Sequence, residues 1–174
     1  MVEQNTEIAE LNLEELYTTY TSDEQIKESY ERRTVPTGRY TYNPKKAAAR
    51  LMPENSPFPG RKTGSFFGQL MDDQGARKGS LGFDASWEVH RRENGKMDSL
   101  AVLWGQLVTA LDLKSKPVGD VIVAAGQYPL SIYVTESFKT PTGWQTARTM
   151  EERAELRKAG YDARNFVQSI SRVR

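Results

Sequence analysis

The chain has 174 residues, of which 37 % are hydrophobic and 27 % charged, with a formal net charge of +1; this length suits one domain with extensions. It contains no cysteine and a single histidine, His90, which excludes disulfides, thiolate nucleophiles, Cys-ligated zinc and histidine-rich metal sites. No run of about 18 apolar residues is present, and the acidic opening lacks the basic and apolar regions of a signal peptide. We therefore expect a soluble, cytoplasmic protein that is neither membrane-bound nor exported.

Charge is distributed unevenly along the sequence. Residues 1–31 contain nine acidic residues and one basic residue, whereas residues 32–96 contain thirteen basic and six acidic residues. A basic central segment is expected in a chain that meets a polyanion, and an acidic arm is then a candidate competitor for the same surface. On charge alone, the acidic and basic segments are slightly better explained as ordinary solvent-exposed surfaces.

The first 33 residues are interpreted as an acidic arm outside the core. A weak helical pattern is formed by Ile8, Leu11, Leu13, Leu16 and Tyr17. The Thr- and Tyr-rich stretch 18–22 breaks this pattern, and Ser22 followed by Gln25 predicts the start of a second short helix over 23–33.

The core is predicted to begin with a strand at 35–42, where two tyrosines alternate with polar residues after a proline. The next stretch, 43–62, mixes four prolines with five basic residues. That composition predicts a long loop with one helical turn at 46–51. Long basic loops are seldom merely structural, so this segment is of interest for binding.

Two further strands are predicted before the middle of the chain. Residues 64–71 place Phe66 on one face with Leu70, and Phe67 on the other. Residues 80–90 alternate cleanly between apolar and polar side chains, which is typical of a half-buried strand. A turn-rich connection joins the two strands, and an Asn-Gly turn ends the second.

The strongest helix prediction covers residues 98–113. Apolar residues recur there at helical spacing, namely Leu100, Leu103, Trp104, Leu107, Val108 and Leu111. Asp98 or Ser99 is placed to cap the first turn, and Lys114 and Lys116 lie where the helix dipole favours cations. The strands on either side predict that this helix packs on the apolar side of a mostly antiparallel sheet.

The last third of the chain begins with an apolar run, 120–125, whose state the sequence leaves open. A strand is predicted at 128–139, and a turn containing Pro141 and Gly143 returns the chain into a strand at 144–148. Thr149 opens a capping-box helix that ends at Gly160.

The remaining segment, 161–174, is predicted to trail off as a tail. Its candidate docking residues are Phe166, Val167 and Ile170.

The predicted elements follow the order of a five-stranded Greek-key barrel of the OB type. That order is a strand, a basic loop, a pair of strands, an amphipathic helix and a hairpin closed by a Gly turn. On the segments VPTGRYTY, GRKTGSFFGQL, GSLGFDASWEV, SLAVLWGQLVTALDL and YPLSIYVTESFKTPTGWQTARTM, the chain resembles phage-encoded OB-fold-like proteins of recombination and replication cassettes. The resemblance covers roughly residues 35–150. It implies a mainly β, α+β fold divided into an acidic arm at 1–33, an OB-like domain at 34–150, and a C-terminal helix and tail at 151–174.

The resemblance also implies a function. Proteins of this kind are thought to bind single-stranded DNA, so we expect a non-catalytic DNA-binding protein of the host cytoplasm that acts in phage replication or recombination. Further expected partners are a phage or host replication or recombination protein and a second copy of the chain.

Single strands are held by cations that follow the phosphates and by aromatic rings on which bases stack. The predicted contacts are the cations Arg61, Lys62, Arg77, Lys78, Arg91, Arg92 and Lys139 and the rings Phe67, Tyr133 and Trp144. Ordinary packing under a loop or at a partner interface is an equally good explanation of the rings. Trp87 and Trp104 lie on apolar faces and are predicted core residues.

An enzymatic function would have to use carboxylates. Asp72, Asp73, Asp84 and Glu88 are the candidates to gather a divalent ion. The first two lie in a turn that favours Asp for local hydrogen bonding, and no basic catalytic partner stands at a defined spacing. We therefore predict a protein without catalytic activity, metal or cofactor.

The alternative function is a protein–protein interaction module of a phage assembly. The two functions differ in one structural feature. Nucleic-acid binding requires Phe67, Tyr133 and the paired basic residues to converge on one exposed face, whereas scattered positions favour the interaction module.

Overall fold

The computed structural model describes residues 12–30 and 34–174, and the chain divides into two units, Met1–Arg32 and Arg33–Arg174. The described part of the first unit contains α1 (Leu13–Thr18) and α2 (Asp23–Tyr30). The Ser22 hydroxyl accepts the Gln25 N–H at 3.1 Å, which confirms the predicted start of the second helix. The predicted pattern at Ile8 and Leu11 lies outside the described residues, as do 31–33.

The second unit is built on one antiparallel sheet. Its strands are β1 (Gly38–Leu51), β2 (Lys62–Met71), β3 (Arg77–Ala85), β4 (Leu130–Thr140), β5 (Gly143–Ala147) and β6 (Ala163–Ser171). The hydrogen-bonded order is β3-β2-β1-β4-β5, and β6 pairs with the other edge of β4. The sheet curls into a half-barrel, so the predicted mixed fold dominated by antiparallel strands is confirmed.

Three helices complete this unit, namely α3 (Ser99–Ala110), α4 (Val118–Ala125) and α5 (Met150–Lys158). The Asp98 carboxylate caps α3 by accepting the Ala101 N–H, and Leu103, Trp104 and Leu107 are buried. The predicted central helix, its cap and its apolar stripe are therefore confirmed, although the helix ends at Ala110. The undecided run 120–125 belongs to α4.

The main core lies between α3, α4 and one face of the sheet, which we call the inner face. Tyr42 of β1, Phe66 and Leu70 of β2 and Ile132 of β4 are fully or almost fully buried on this face. Trp87 is partly buried against Trp104, with ring centroids 5.2 Å apart. The opposite side of the sheet is called the outer face.

A buried carboxylate holds α5 against the sheet. Glu136 of β4 is fully buried and accepts a hydrogen bond from Arg153 Nε at 2.5 Å and another from the Thr34 hydroxyl. Arg157 lies 3.6 Å from the same carboxylate. These partners supply the opposite charge that a buried carboxylate requires.

Within the described residues, no helix has the length and apolar character needed to cross a bilayer.

The loop predicted at 43–62 is confirmed only at 52–61, and the helical turn predicted at 46–51 is wrong, because β1 continues to Leu51. Residues 46–51 pair with β2, and the register shifts between Pro44 and Lys46. A bulge accommodates a proline, which lacks the N–H that a regular ladder uses. Pairing with a distant strand here overrides the helix preference of the alanines at 47–49.

The predicted bounds of one strand and the predicted state of the C-terminal segment are also wrong. The strand predicted at 80–90 ends at Ala85, because the Ser86 N–H turns away to donate to the Leu100 carbonyl at 3.0 Å. The predicted tail contains β6, which pairs with β4 from Ala163 to Ser171. Ile170, predicted as a docking residue, is buried in the core.

Candidate nucleic-acid interface

Four aromatic side chains project from the outer face of the sheet. Their exposed fractions are 47 % for Phe67, 36 % for Tyr133, 48 % for Trp144 and 40 % for Phe166. Side chains of this size that stay half exposed on a strand present a flat surface to which another planar group can stack.

The strand register places all four rings on the same face. Thr41 of β1 is opposite Met71 of β2 and Ser131 of β4, and directly opposed residues of antiparallel strands share a face. Phe67 is four residues from Met71, and Tyr133 is two from Ser131, so the period of two keeps both rings on that face.

The other two rings follow from the pairing of β4 with its neighbours. Phe166 is opposite Thr135, and Trp144 is opposite Lys139. Residues 133, 135, 137 and 139 of β4 alternate to one side, so Tyr133, Phe166 and Trp144 share a surface. The predicted rings Phe67, Tyr133 and Trp144 therefore lie on one face together with Phe166, but they are spread along it. Trp144 and Phe166 are in contact. Phe67 is opposite Lys46, seven residues along β1 from the partner of Tyr133, or roughly 20 Å at about 3.4 Å per residue.

Cations accompany these rings. The Arg39 guanidinium lies 5.9 Å from the Tyr133 ring centroid, and the Arg164 guanidinium lies 5.8 Å from that of Trp144. Trp144 also meets Phe166 edge to face at 5.5 Å. Together with Lys139 and with Lys46 opposite Phe67, these residues give the outer face exposed positive charge next to exposed rings.

Arg61 has a different role from the one predicted. It is only 2 % exposed, and its guanidinium hydrogen-bonds both oxygens of Asp98, the Glu88 carbonyl at 2.8 Å and the Ser86 hydroxyl at 3.1 Å. The Phe58 ring covers it at 5.1 Å. Arg61 therefore joins the end of the β1–β2 loop to the start of α3, and we remove it from the predicted phosphate contacts.

This buried pair makes stability depend on pH. The Arg61 hydrogen bond holds the pKa of Asp98 below its ordinary range, and the Ala101 N–H adds to the effect while burial opposes it. A carboxyl whose pKa is lower in the folded state stabilises the fold above its unfolded value of about 3.9, and this contribution is lost as pH falls through the folded value.

We therefore expect Asp98→Asn to weaken the loss of stability on acidification. The measurement is the free energy of urea unfolding from neutral pH to about pH 3, which covers the region where carboxyls titrate. The exposed Asp112→Asn serves as the control. If the free energy of unfolding of Asp98→Asn falls as steeply on acidification as that of the wild type, Asp98 is not the source of the pH dependence.

The other predicted cations lie at strand ends and turns. Lys62 begins β2, and Arg77 and Lys78 begin β3, where Lys78 pairs with Asp72 at 3.4 Å. The Arg91 side chain donates to the Gly95 carbonyl at 2.9 Å, within the turn that also carries the exposed Arg92. Of these cations, Arg77 is opposite Met71 and so shares the outer face with Lys139. Lys62 and Lys78 lie at strand ends, and Arg91 and Arg92 lie in a turn after β3. The paired basic residues therefore do not gather with the rings, an arrangement that favours the interaction module.

The carboxylates considered for metal binding have local partners. Asp72 accepts the N–H groups of Gln74 and Ala76, and the Ala76 hydrogen bond is the main reason that its pKa is lowered. Asp84 pairs with Arg50 at 2.8 Å. Across residues 12–30 and 34–174, no group of three or more His, Asp and Glu side chains is arranged to hold a metal ion.

Sequence reasoning missed Arg39, Lys46, Arg164 and Phe166 as members of this surface. Arg39 alternates with Tyr40 and Tyr42 in the VPTGRYTY strand, so its place on the face opposite these tyrosines was predictable from the period of two. Phe166 and Arg164 were hidden because the strand that presents them was not predicted. We call the set Arg39, Lys46, Phe67, Tyr133, Lys139, Trp144, Arg164 and Phe166 the outer-face cluster.

Comparison of the chain with protein-family models, curated proteins and solved structures finds no significant match. The outer-face cluster is therefore interpreted from its own geometry and chemistry.

Proposed function

We propose that this protein binds single-stranded DNA on the outer face of its sheet and has no catalytic activity. The observation that carries the proposal is that four half-exposed rings share one sheet face with exposed cations. Protein surfaces that bind single strands combine these two components, because cations follow the phosphates and rings accept any base by stacking.

The proposal includes the finer assignment of the half-barrel as OB-like. Three features support it: β1 pairs with both β2 and β4, α3 lies in the chain between β3 and β4, and β6 pairs with β4 on the edge opposite β1. The β4–β5 hairpin then extends the barrel strands and adds Trp144 and Lys139 to the binding face.

Dimensions favour a strand of several nucleotides. Tyr133 and Lys139 are separated by six residues of β4, or roughly 20 Å at about 3.4 Å per residue. That distance exceeds one nucleotide step, and an OB fold commonly covers about 4 to 16 nucleotides.

We place the protein in phage replication or recombination in the host cytoplasm, with a replication or recombination protein and a second copy of the chain as proposed partners.

The proposal is tested by titrating a labelled oligo-dT of about 30 nucleotides, which exceeds the length covered by one OB fold, at several salt concentrations. Neutralised phosphates release counterions, so the logarithm of the association constant should fall with log salt with a slope near −0.7Z, where Z is the number of phosphates neutralised. Replacing Lys139 and Arg164 with Gln should reduce the magnitude of that slope by about 1.4.

The matched control replaces Lys114 and Lys116 with Gln. Both are exposed in the connection between α3 and α4, away from the strand register that defines the outer face, and the change in net charge is identical. Equal effects of the two double variants would show non-specific attraction. Absence of salt-dependent binding at micromolar protein would refute the proposal and favour the protein-binding module.

A further inference from the structure

A groove of about 980 Å³ opens beside Arg39, whose guanidinium also lies 5.9 Å from the Tyr133 ring centroid. Arg39 of β1, Ser131 of β4 and Ser171 at the end of β6 line it, together with Arg172 and Arg174. Asp72 and Asp73 also line the groove, and Lys78 pairs with Asp72 at 3.4 Å. Three arginines and two aspartates therefore line the groove, one of the aspartates has a cation partner, and Arg172 donates to the Ala110 carbonyl at 3.5 Å.

Arg39 is held in a fixed position within this groove. Its Nη1 donates to the Ser131 hydroxyl at 3.2 Å and to the Ser171 hydroxyl at 3.3 Å, and the guanidinium lies next to the Tyr133 ring. Because these contacts already restrict the Arg39 side chain, it loses less conformational entropy when it binds an anion.

The unused donors of this group point to an anionic ligand. A guanidinium has five N–H donors, and the two on Nη1 go to the serines, so three remain on Nε and Nη2. Among the described residues these three have no acceptor, and Arg39 has no carboxylate partner. Each serine hydroxyl accepts from Arg39 with its oxygen and keeps its own hydrogen to donate.

We propose that Arg39, Ser131 and Ser171 form a phosphate subsite, in which the nucleotide bound at Arg39 has a neighbouring base stacked on Tyr133. The guanidinium offers the planar fork that suits a phosphate, and the two hydroxyls add neutral donors on either side. The inference rests on the proposed function and adds to it the residues that hold the backbone at one defined nucleotide.

The test measures oligo-dT affinity and salt slope for three variants. Ser131→Ala combined with Ser171→Ala leaves every charge in place, so the affinity should fall roughly tenfold with an unchanged slope. Arg39→Gln should lower the affinity and reduce the slope magnitude by about 0.7. Arg39→Lys keeps the charge but lacks the fork, so its slope should match the wild type while its affinity falls.

Lys116→Gln is the control for Arg39→Gln, and thermal unfolding checks that each variant is folded. If wild-type protein binds oligo-dT but Arg39→Gln behaves like Lys116→Gln, the subsite is refuted and the proposed function stands. If the wild type binds no oligo-dT, both are refuted. Displacement of oligo-dT by millimolar dTMP or inorganic phosphate as effectively as by unlabelled oligo-dT would assign the groove to free phosphates and overturn the strand subsite.

Discussion

Replacing Arg61 with Met is expected to lower the free energy of unfolding by about 3 to 5 kcal/mol, because the change leaves the Asp98 carboxylate buried without its cation. The guanidinium also satisfies the Glu88 carbonyl and the Ser86 hydroxyl, which lose a donor at the same time. Urea denaturation of the purified variant measures the loss. The matched control is Arg50→Met, which removes a more exposed ion pair with Asp84 and should cost no more than about 1 kcal/mol.

A double variant separates the unpaired charge from the lost packing. Asn at position 98 can still accept the Ala101 N–H and cap α3, but it carries no charge. Arg61→Met combined with Asp98→Asn should therefore be more stable than Arg61→Met alone. If the double variant is the less stable of the two, the loss comes from packing and the electrostatic explanation is wrong.

Removing one stacking ring should have the largest effect on binding. Trp144→Ala or Tyr133→Ala is expected to weaken oligo-dT binding by about 5- to 150-fold, which corresponds to about 1 to 3 kcal/mol for each lost stack. The salt slope should stay the same, because a lost ring releases no counterions. Both residues lie on the outer face with large exposed fractions, so the fold should tolerate the change.

Tyr128→Ala is the matched control for these two variants. Tyr128 is 58 % exposed but precedes β4 and takes no part in the sheet register. A Tyr128→Ala variant that loses as much affinity as Tyr133→Ala would show that exposed aromatic residues act without regard to position. Undiminished binding by both outer-face variants would remove stacking from the mechanism.

Sequence patterns correctly predicted the helices and strands that are determined by residues close together in the chain. The stripe from Leu103 to Leu107 and the cap at Asp98 identify α3 because a helix is defined by neighbours three and four residues apart. Phe66 and Phe67 were assigned to opposite faces correctly, since a strand alternates with a period of two. The Thr149 cap likewise marked the start of α5.

Elements decided by distant partners were not predictable in this way. Residues 46–51 are a strand because they pair with the start of β2, and an alanine-rich stretch by itself favours a helix. In β6, the register shift opposite Tyr133 and Val134 breaks the alternation, so Val167 and Ile170 pack against the core although they are three residues apart. A bulge of this kind hides a strand from any test based on a strict period of two.

The site was predictable to a similar degree. Phe67 and Tyr133 were predicted as exposed rings because each falls on the less apolar side of a recognisable strand, and Trp144 was included because it follows the hairpin turn. Arg61 was misplaced because its burial depends on Asp98, which is 37 residues away in the chain and identifiable only as a helix cap. Phe166 was predicted only as a docking residue of a tail, and its place beside Trp144 follows from the pairing of β6 with β4.

The most direct test of the proposed function is photocrosslinking of the protein to oligo-dT substituted with 5-iododeoxyuridine, followed by mass spectrometric mapping of the modified residues. If single strands bind on the outer face, adducts form at Tyr133, Trp144 or Phe166, and unlabelled oligo-dT suppresses them whereas duplex DNA of the same length does not. Adducts confined to α3 and α4, or a yield no higher than with duplex DNA, would contradict the proposed function.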